Sequence, residues 1–341
     1  MYDRGLSVLE EYDLEVKSTG RGRGALICRA QEKTVLLREY EGSPRKLECQ
    51  AELLTLVEQA GEILTDLPLK NKEGCYITYD KENVPYVVKQ WYEGRECDTQ
   101  SVKDIRRSVA ALASLHNTMK MPVREHYIRE SLITEYERHN RELRKIRKFV
   151  CGKQKKNAFE RRYLDSISCF LWQGEEALRK LEASSYRKLR KESLEEGYVC
   201  HGEFNQHNVL FLSEQTAVVN FEQWNYDVPV SDLYQFMRKI LEKHNWDLDI
   251  GRQMLDAYDA VRPLSQEELE NLRIRFFYPE KYWKLSNYYY THSKVWISQK
   301  NLEKLENCLN NTTNGDDLQR IFLSEEFTGN TLDKHSETRY K

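Results

Sequence analysis

The stretch from His201 to Asp232 constrains this chain more than any other. It reads HGEFNQHNVLFLSEQTAVVNFEQWNYDVPVSD. Two short apolar runs, Val209–Leu212 and Ala217–Phe221, flank the polar turn Ser213–Thr216, which is the pattern of a tight β-hairpin. A polar loop, His201–Asn208, leads into the hairpin, and Asn220 and Glu222 close it. A hairpin of this length returns both polar groups to one open end, so Glu203, Asn208, Asn220 and Glu222 converge there. Two carboxylates and two amides suit a divalent metal with a phosphate, because Mg²⁺ takes few protein oxygens and completes its shell from water and substrate phosphates.

The rest of the chain bounds what that cluster serves. Its 341 residues make one large or two modest domains, and 40% hydrophobic residues supply a core. A charged fraction of 32% with a net charge of −2 predicts a well-solvated surface and no general basic excess for nucleic acid. The N-terminus, MYDRGLSVLEEY, has no apolar core or cleavage site, so no secretory signal is expected. No run approaches the roughly 18 apolar residues of a membrane span. The eight cysteines include no C-x-x-C and read as reduced, mostly buried thiols.

Residues 1–40 read as a short helix followed by strands at Leu14–Val16, Ala25–Cys28 and Thr34–Tyr40. Between the first two lies STGRGRGA, whose alternate glycines make either an anion cradle or a plain hairpin turn. Ser43-Pro44 opens a helix that runs to Ala60 and stops at Gly61. Cys75–Tyr79 and Tyr86–Trp91 are strands, and Gly94 lets the chain bend after them. Everything beyond reads as helical apart from the hairpin, so the composition shift marks a domain boundary. Val102, Ile105, Val109, Leu112, Ala113 and His116 form a helical stripe, with His116 favoured near the helix end by the dipole. Residues 129–192 read as two long charged helices with a turn near Gly152–Asn157: a solvated pair, or a basic face for an acidic partner or polyphosphate. No aromatics interleave the lysines, which argues further against nucleic acid. Asp232 is expected to cap a helix whose buried face is Leu233, Phe236, Met237, Ile240 and Leu241. Helices follow over residues 247–310, with starts at Ser265 and around Pro279. There Tyr282, Leu285, Tyr289 and Trp296 read as core, and the surplus tyrosines as an assembly surface. Phe327–Lys341 reads as a frayed tail, and Ile321–Leu323 as an apolar island that docks back.

The motif H-G-x-x-x-x-x-N, a short hairpin and a following acidic position resemble the catalytic core of the protein-kinase-like fold. The nearest branch is that of the aminoglycoside phosphotransferases, whose loop reads H-G-D-x-x-x-x-N. More narrowly, the chain resembles the CotS family of bacterial spore coat proteins. YVVKQWYEGRECD (Tyr86–Asp98), HGEFNQHNVL (His201–Leu210), SDLYQFMRKILEKHNW (Ser231–Trp246) and PEKYWKLSNYYY (Pro279–Tyr290) carry that resemblance.

The resemblance implies a two-lobed α+β fold. Residues 1–92 would be the N-lobe, an antiparallel sheet with one helix on the nucleotide side. Residues 93–325 would be a mainly helical C-lobe holding the inserted helix pair (129–192) and the catalytic-loop hairpin (201–222), and residues 326–341 a polar tail. It also implies roles. Gly22 and Gly24 belong to a phosphate loop. Arg38 stands at the place of the lysine that grips the nucleotide phosphates, with Glu52, rather than Glu48, as its helix partner. Lys89 and Trp91, on the strand before the hinge, bind the nucleotide. His201 and Asp232 brace the loop, Glu203 takes the place of the base, and Asn208, Asn220 and Glu222 take the metal. The implied cofactors are ATP or GTP with Mg²⁺, and the implied partners are other spore coat proteins. The implied location is the mother-cell cytoplasm and then the spore coat.

Three positions depart from the family pattern: Arg38 for lysine, Glu203 for the aspartate base and Asn220 for the metal aspartate. Glutamate carries its carboxylate one methylene farther out, and a misplacement near 1 Å costs on the order of a hundredfold in a positioned reaction. The sequence therefore favours a pseudokinase-like structural or scaffolding coat protein with residual nucleotide binding. The alternatives are an active phosphotransferase on a small molecule or coat protein with Glu203 as base, and another nucleotide chemistry such as nucleotidyl transfer.

Overall fold

The apolar alternation near the N-terminus becomes a five-stranded antiparallel sheet in the computed structural model, which describes residues 5–22, 24–31, 33–291 and 299–310. After a 3₁₀ turn at Leu6–Glu11 the chain forms β1 (Val16–Gly22), β2 (Ala25–Ala30), β3 (Thr34–Glu39), α1 (Pro44–Ala60), β4 (Ile63–Thr65), β5 (Ile77–Tyr79), β6 (Pro85–Trp91), β7 (Arg95–Glu96) and α2 (Val102–Thr118). Three helices follow: α3 (Leu132–Gly152), α4 (Ala158–Ala183) and α5 (Tyr186–Glu195). Then come β8 (Val199–Cys200), β9 (Val209–Phe211), β10 (Thr216–Val218), β11 (Asn225–Tyr226), α6 (Val230–Lys243), α7 (Leu248–Asp259), α8 (Gln266–Phe277), α9 (Glu280–Thr291) and α10 (Gln299–Asn310).

Two compact units result. One gathers Met1–Ile128, Ser193–Phe236 and Ala257–Pro263, and the other Arg129–Glu192, Met237–Asp256 and Leu264–Lys341, each in its described parts. In the first unit the large sheet runs β1-β2-β3-β6-β5. Directly opposed residues of antiparallel strands share a face. The pairs Thr34–Trp91, Leu36–Lys89 and Arg38–Val87 therefore put Leu36, Arg38, Lys89 and Trp91 on one side. Val35, Leu37, Tyr86 and Val88 take the other side and pack with Val8, Leu9, Tyr12 and Cys28.

Helix α1 starts and ends where its signals place it. The Ser43 hydroxyl accepts the Lys46 N–H at 3.2 Å, Pro44 opens the first turn, and Gly61 closes the helix at φ 77°. The chain then enters β4, which pairs in parallel with β10 in a second sheet, β4-β10-β9-β7. The expected hairpin is β9–β10, registered Val209–Val218 to Phe211–Thr216. Leu210, Ala217 and Val219 pack against Leu36 and Trp91. Gly94 permits this approach, since a Cβ there would stand 3.1 Å from Leu210 Cβ and from the Phe211 carbonyl oxygen. The glycine-rich stretch is a hairpin: β1 continues to Gly22, paired with Ala25, and Gly24 lies in the turn at φ 72°.

The second unit is built on α3 and α4, joined by the expected turn. Asn157 and Glu160 form a reciprocal capping box at the start of α4, and Ser265 and Glu268 do the same for α8. The aromatic run is core: Tyr282 stacks on Phe170 with centroids 3.9 Å apart and on Tyr163 at 5.7 Å, while its hydroxyl donates to the Tyr163 carbonyl. Leu285 and Tyr289 pack against the same cluster. Tyr288 is 52% exposed. Trp296, the island at 321–323 and the tail at 327–341 lie outside the described residues. The charge runs behave as a solvated, laced surface, with Arg144 on Glu175 and Arg138 on Glu130. None of the eight cysteines is in a disulfide; Cys28, Cys49, Cys97, Cys200 and Cys308 are buried, and Cys75, Cys151 and Cys169 are exposed. Among the described residues no helix is long and apolar enough to cross a membrane.

Tyr282→Ala removes a fully buried ring and its hydrogen bonds. It should cost about 3–5 kcal/mol in urea unfolding, whereas Tyr288→Ala should stay within about 0.5 kcal/mol.

Candidate functional site

The polar loop before the hairpin is shaped by one buried carboxylate. Asp232 Oδ2 accepts the His201 N–H at 2.6 Å and Oδ1 accepts the Gly202 N–H at 3.0 Å. Oδ2 also lies 3.3 Å from His116 Nε2, and His116 Nδ1 lies 2.7 Å from the Tyr258 hydroxyl. The expectation that Asp232 caps a helix is corrected here. Helix α6 begins at Val230, and Asp232, inside its first turn, turns its carboxylate to the loop backbone instead. Burial works against its charge, but the His116 hydrogen bond and the Gly202 N–H hold it below the usual carboxylate range. Gly202 has φ 82°, and a Cβ there would fall 2.0 Å from the Gln223 carbonyl oxygen, so only glycine fits. His201 is fully buried. Its Nε2–H donates to the Val219 carbonyl at 3.1 Å and its Nδ1 accepts the Glu203 N–H at 3.2 Å, which fixes one neutral tautomer. Burial lowers its pKa, in keeping with the uncharged ring.

At the open end of the hairpin the two amides meet. Asn220 Nδ2 donates to Asn208 Oδ1 at 2.7 Å, and Asn208 Nδ2 donates to the Glu203 carbonyl at 3.0 Å. Asn220 sits in the left-handed region (φ 68°, ψ 55°), which asparagine tolerates better than most residues. Glu203 joins this group through its backbone. Its carboxylate is exposed and has no hydrogen-bond partner among the described residues.

Glu222 belongs to a different set. Its Oε1 accepts from Lys89 Nζ at 2.6 Å and from Arg38 Nη1 at 3.2 Å. Lys89 Nζ also reaches Asp66 Oδ2 at 3.1 Å, and that same oxygen accepts the Asn220 N–H at 3.1 Å. Lys89 and Asp66 are buried, while the Glu222 side chain keeps 25% exposure. Burial alone would raise the Glu222 carboxyl; the charge of Lys89, its hydrogen bond and Arg38 outweigh that and bring it down to about 2. Burial pushes the Asp66 carboxyl up, against the pull of Lys89. Lys89 itself is held above its ordinary value, because the two carboxylates outweigh its desolvation.

The expected ion pair of Arg38 with Glu52 does not form. Glu52 bonds to Arg124 at 2.6 Å on the exposed side of α1, while Glu222 supplies the anion for Arg38. Trp91 packs in the apolar cluster between the two sheets. Gly22 and Gly24 lie at the β1–β2 turn, and among the described residues no hydrogen bond joins them to the ion network. Asp66 went unnoticed in the sequence, although a lone acid in the apolar run Ile63-Leu64-Thr65-Asp66-Leu67 was a signal.

As these side chains stand, they do not fit a divalent metal. Arg38 and Lys89 balance Asp66 and Glu222, so the set offers no net negative charge. The Asn208 amide oxygen already accepts from Asn220.

The arrangement of elements defines a class. An aminoglycoside phosphotransferase from Alicyclobacillus acidocaldarius superposes with a TM-score of 0.84 at 16% identity, covering 95% of this chain and 96% of that one. The complex of spectinomycin phosphotransferase with ADP and spectinomycin superposes at 0.56 with 13% identity, covering 94% and 97%. The protein has the α+β, kinase-like fold of that group. The family described as "Spore coat putative kinase YutH" matches residues 6–322, and the chain belongs to it. Spore coat protein S of Bacillus subtilis is 30% identical over 155 residues, 45% of this chain and 44% of its own length. Endospore coat-associated protein YutH of the same organism is 25% identical over 137 residues, 40% and 39% of the two chains. Each alignment thus spans less than half of the curated relative.

Asp232→Ala should cost about 2–4 kcal/mol in denaturant unfolding, since it orphans two buried N–H groups at once; a cost under about 1 kcal/mol would contradict the brace. Glu222 has a depressed pKa, so the stability it adds is present above its ordinary 4.5 and lost as pH falls toward about 2. The melting-temperature gap between wild type and Glu222→Gln should therefore be flat above about pH 6, below which Asp66 also titrates, and close as pH falls toward about 2.

Proposed function

We propose that this protein is a structural or scaffolding component of the spore coat that retains a kinase-like fold without proficient phosphoryl transfer. The observation that carries this reading is the engagement of Glu222 by both Lys89 and Arg38. Phosphoryl transfer depends almost wholly on positioning and on charge stabilisation by cations and metals. Here the two cations of the cleft are engaged by an internal carboxylate, and the two amides are bonded to each other. The substitutions at Arg38, Glu203 and Asn220 point the same way. Membership of a spore coat family and the names of the two Bacillus relatives support the coat. In this reading the chain is made in the mother-cell cytoplasm, is deposited on the forespore and binds other coat proteins. Residual nucleotide binding without turnover is compatible with it, and the ADP held by spectinomycin phosphotransferase supports a nucleotide site in such a fold.

One observation favours a second reading, an active ATP-dependent phosphotransferase on a small molecule or coat protein. The Glu203 carboxylate is exposed and unpaired among the described residues, on a loop that Asp232 holds in shape. That is where a general base needs to be free.

Melting and turnover with ATP or GTP, each with and without Mg²⁺ or Mn²⁺, separate the two. The scaffold reading predicts no metal-dependent stabilisation, no turnover, and normal coat assembly in cells carrying Glu203→Ala. The enzyme reading predicts metal-dependent stabilisation, about 2.7 kcal/mol at a hundredfold excess over Kd, with turnover abolished by Glu203→Ala. That second outcome would overturn the proposal.

A further inference from the structure

The geometry points to Lys89 as a built-in cation: its ammonium fills a latent divalent-cation site whose carboxylate ligands are Asp66 and Glu222. The two acids come from separate parts of the chain, one following β4 and the other following the hairpin, yet both reach one nitrogen, at 3.1 Å and 2.6 Å. Asp66 Oδ2 also accepts the Asn220 N–H. A carboxylate therefore stands at the backbone of the very residue where the family pattern has lost its acid. The other oxygen, Asp66 Oδ1, is buried and has no hydrogen-bond partner among the described residues. It remains a lone-pair donor inside the cluster that the ammonium does not satisfy.

Charge accounts for the arrangement. Two carboxylates that both contact one atom repel each other strongly in a buried place and require a cation between them. Lysine supplies one charge on a tether from β6, and being wholly buried it is itself held by that pair. A Mg²⁺ or Mn²⁺ ion takes oxygens at about 2.0–2.2 Å, so each carboxylate would need to draw inward by only about 1 Å or less. With Lys89 in place the ion has neither room nor net negative charge. Of the two cations only Arg38 keeps an exposed surface, so an incoming phosphate would meet Arg38 with no metal between. This inference rests on the reading that the site no longer runs metal-dependent transfer. Its test uses the ion alone: Lys89 variants that bind none would leave that reading standing, whereas wild type that binds Mn²⁺ would count against both.

The experiment is a Mn²⁺ titration, without nucleotide, of the full chain as wild type, Lys89→Met and Lys89→Met/Glu222→Gln. Free Mn²⁺ is counted by its paramagnetic resonance signal, and melting is recorded in parallel. The wild type should leave Mn²⁺ free. Lys89→Met should bind one ion per chain and melt higher in its presence, and adding Glu222→Gln should weaken binding at least about tenfold. Because Lys89→Met can unfold by leaving two buried carboxylates uncompensated, Lys89→Gln, whose shorter neutral amide still offers two N–H donors, is measured beside it. A Lys89 variant that folds only with Mn²⁺ supports the inference. Wild type binding Mn²⁺ as well as the variants do overturns it. So do folded Lys89 variants that bind none, or that bind equally well after Glu222→Gln.

Discussion

A single buried ammonium organises the site. Lys89 has no exposed surface, and its charge is met by Asp66 and Glu222. Through Asp66 it reaches the backbone of Asn220, and through Glu222 it reaches Arg38. Four charges from four segments are thereby tied into one neutral set. Breaking a buried pair leaves an uncompensated charge at a cost of about 3–5 kcal/mol, so the set is hard to open once formed. The large sheet, through Arg38 and Lys89, is tied to the start of the segment after β4 and to the end of the hairpin.

The loop before the hairpin is held by different means. Asp232, His116 and Tyr258 form a buried chain that fixes the His201 and Gly202 amides, and His201 in turn fixes Val219 and Glu203. None of these bonds involves a metal or a nucleotide. The brace can therefore persist whatever becomes of the residues at the open end. This explains how a chain keeps an H-G-x-x-x-x-x-N loop in good order while the amides of Asn208 and Asn220 pair with each other and Glu222 turns to two cations. The brace and the charged set meet only through Glu203, Asn208 and Asn220, and only the brace is needed by a scaffold.

Much of the fold was legible because its signals are local. Ser43-Pro44 and Gly61 delimit α1, the turn near Gly152–Asn157 separates α3 from α4, and the alternation around Ser213–Thr216 marks the hairpin. The convergence of Asn208 with Asn220 also follows from hairpin length alone. What the sequence hid is pairing over distance. Lys89 and Glu222 are 133 residues apart, and Arg38 and Glu222 are 184 apart. No periodicity announces such contacts, and the usual helix partner was assigned to Arg38 by resemblance instead. For Asp232 only the cap was misjudged: a first-turn aspartate looks like one, whereas its brace of the loop, implied by the resemblance, is the role its bonds to His201 and Gly202 serve. Asp66 carried the clearest overlooked signal, an acid enclosed by apolar neighbours.

The most direct measurement of the central claim is the coupling between Lys89 and Glu222. A double-mutant cycle with Lys89→Met and Glu222→Gln, read by denaturant unfolding at neutral pH, isolates that pairwise term. The account predicts a coupling of about 2 kcal/mol or more, at the upper end of what contacting residues show. A value of about 0.5 kcal/mol or less, typical of exposed ion pairs, would mean that Glu222 is not held by Lys89 and that the charged set does not hold together as described.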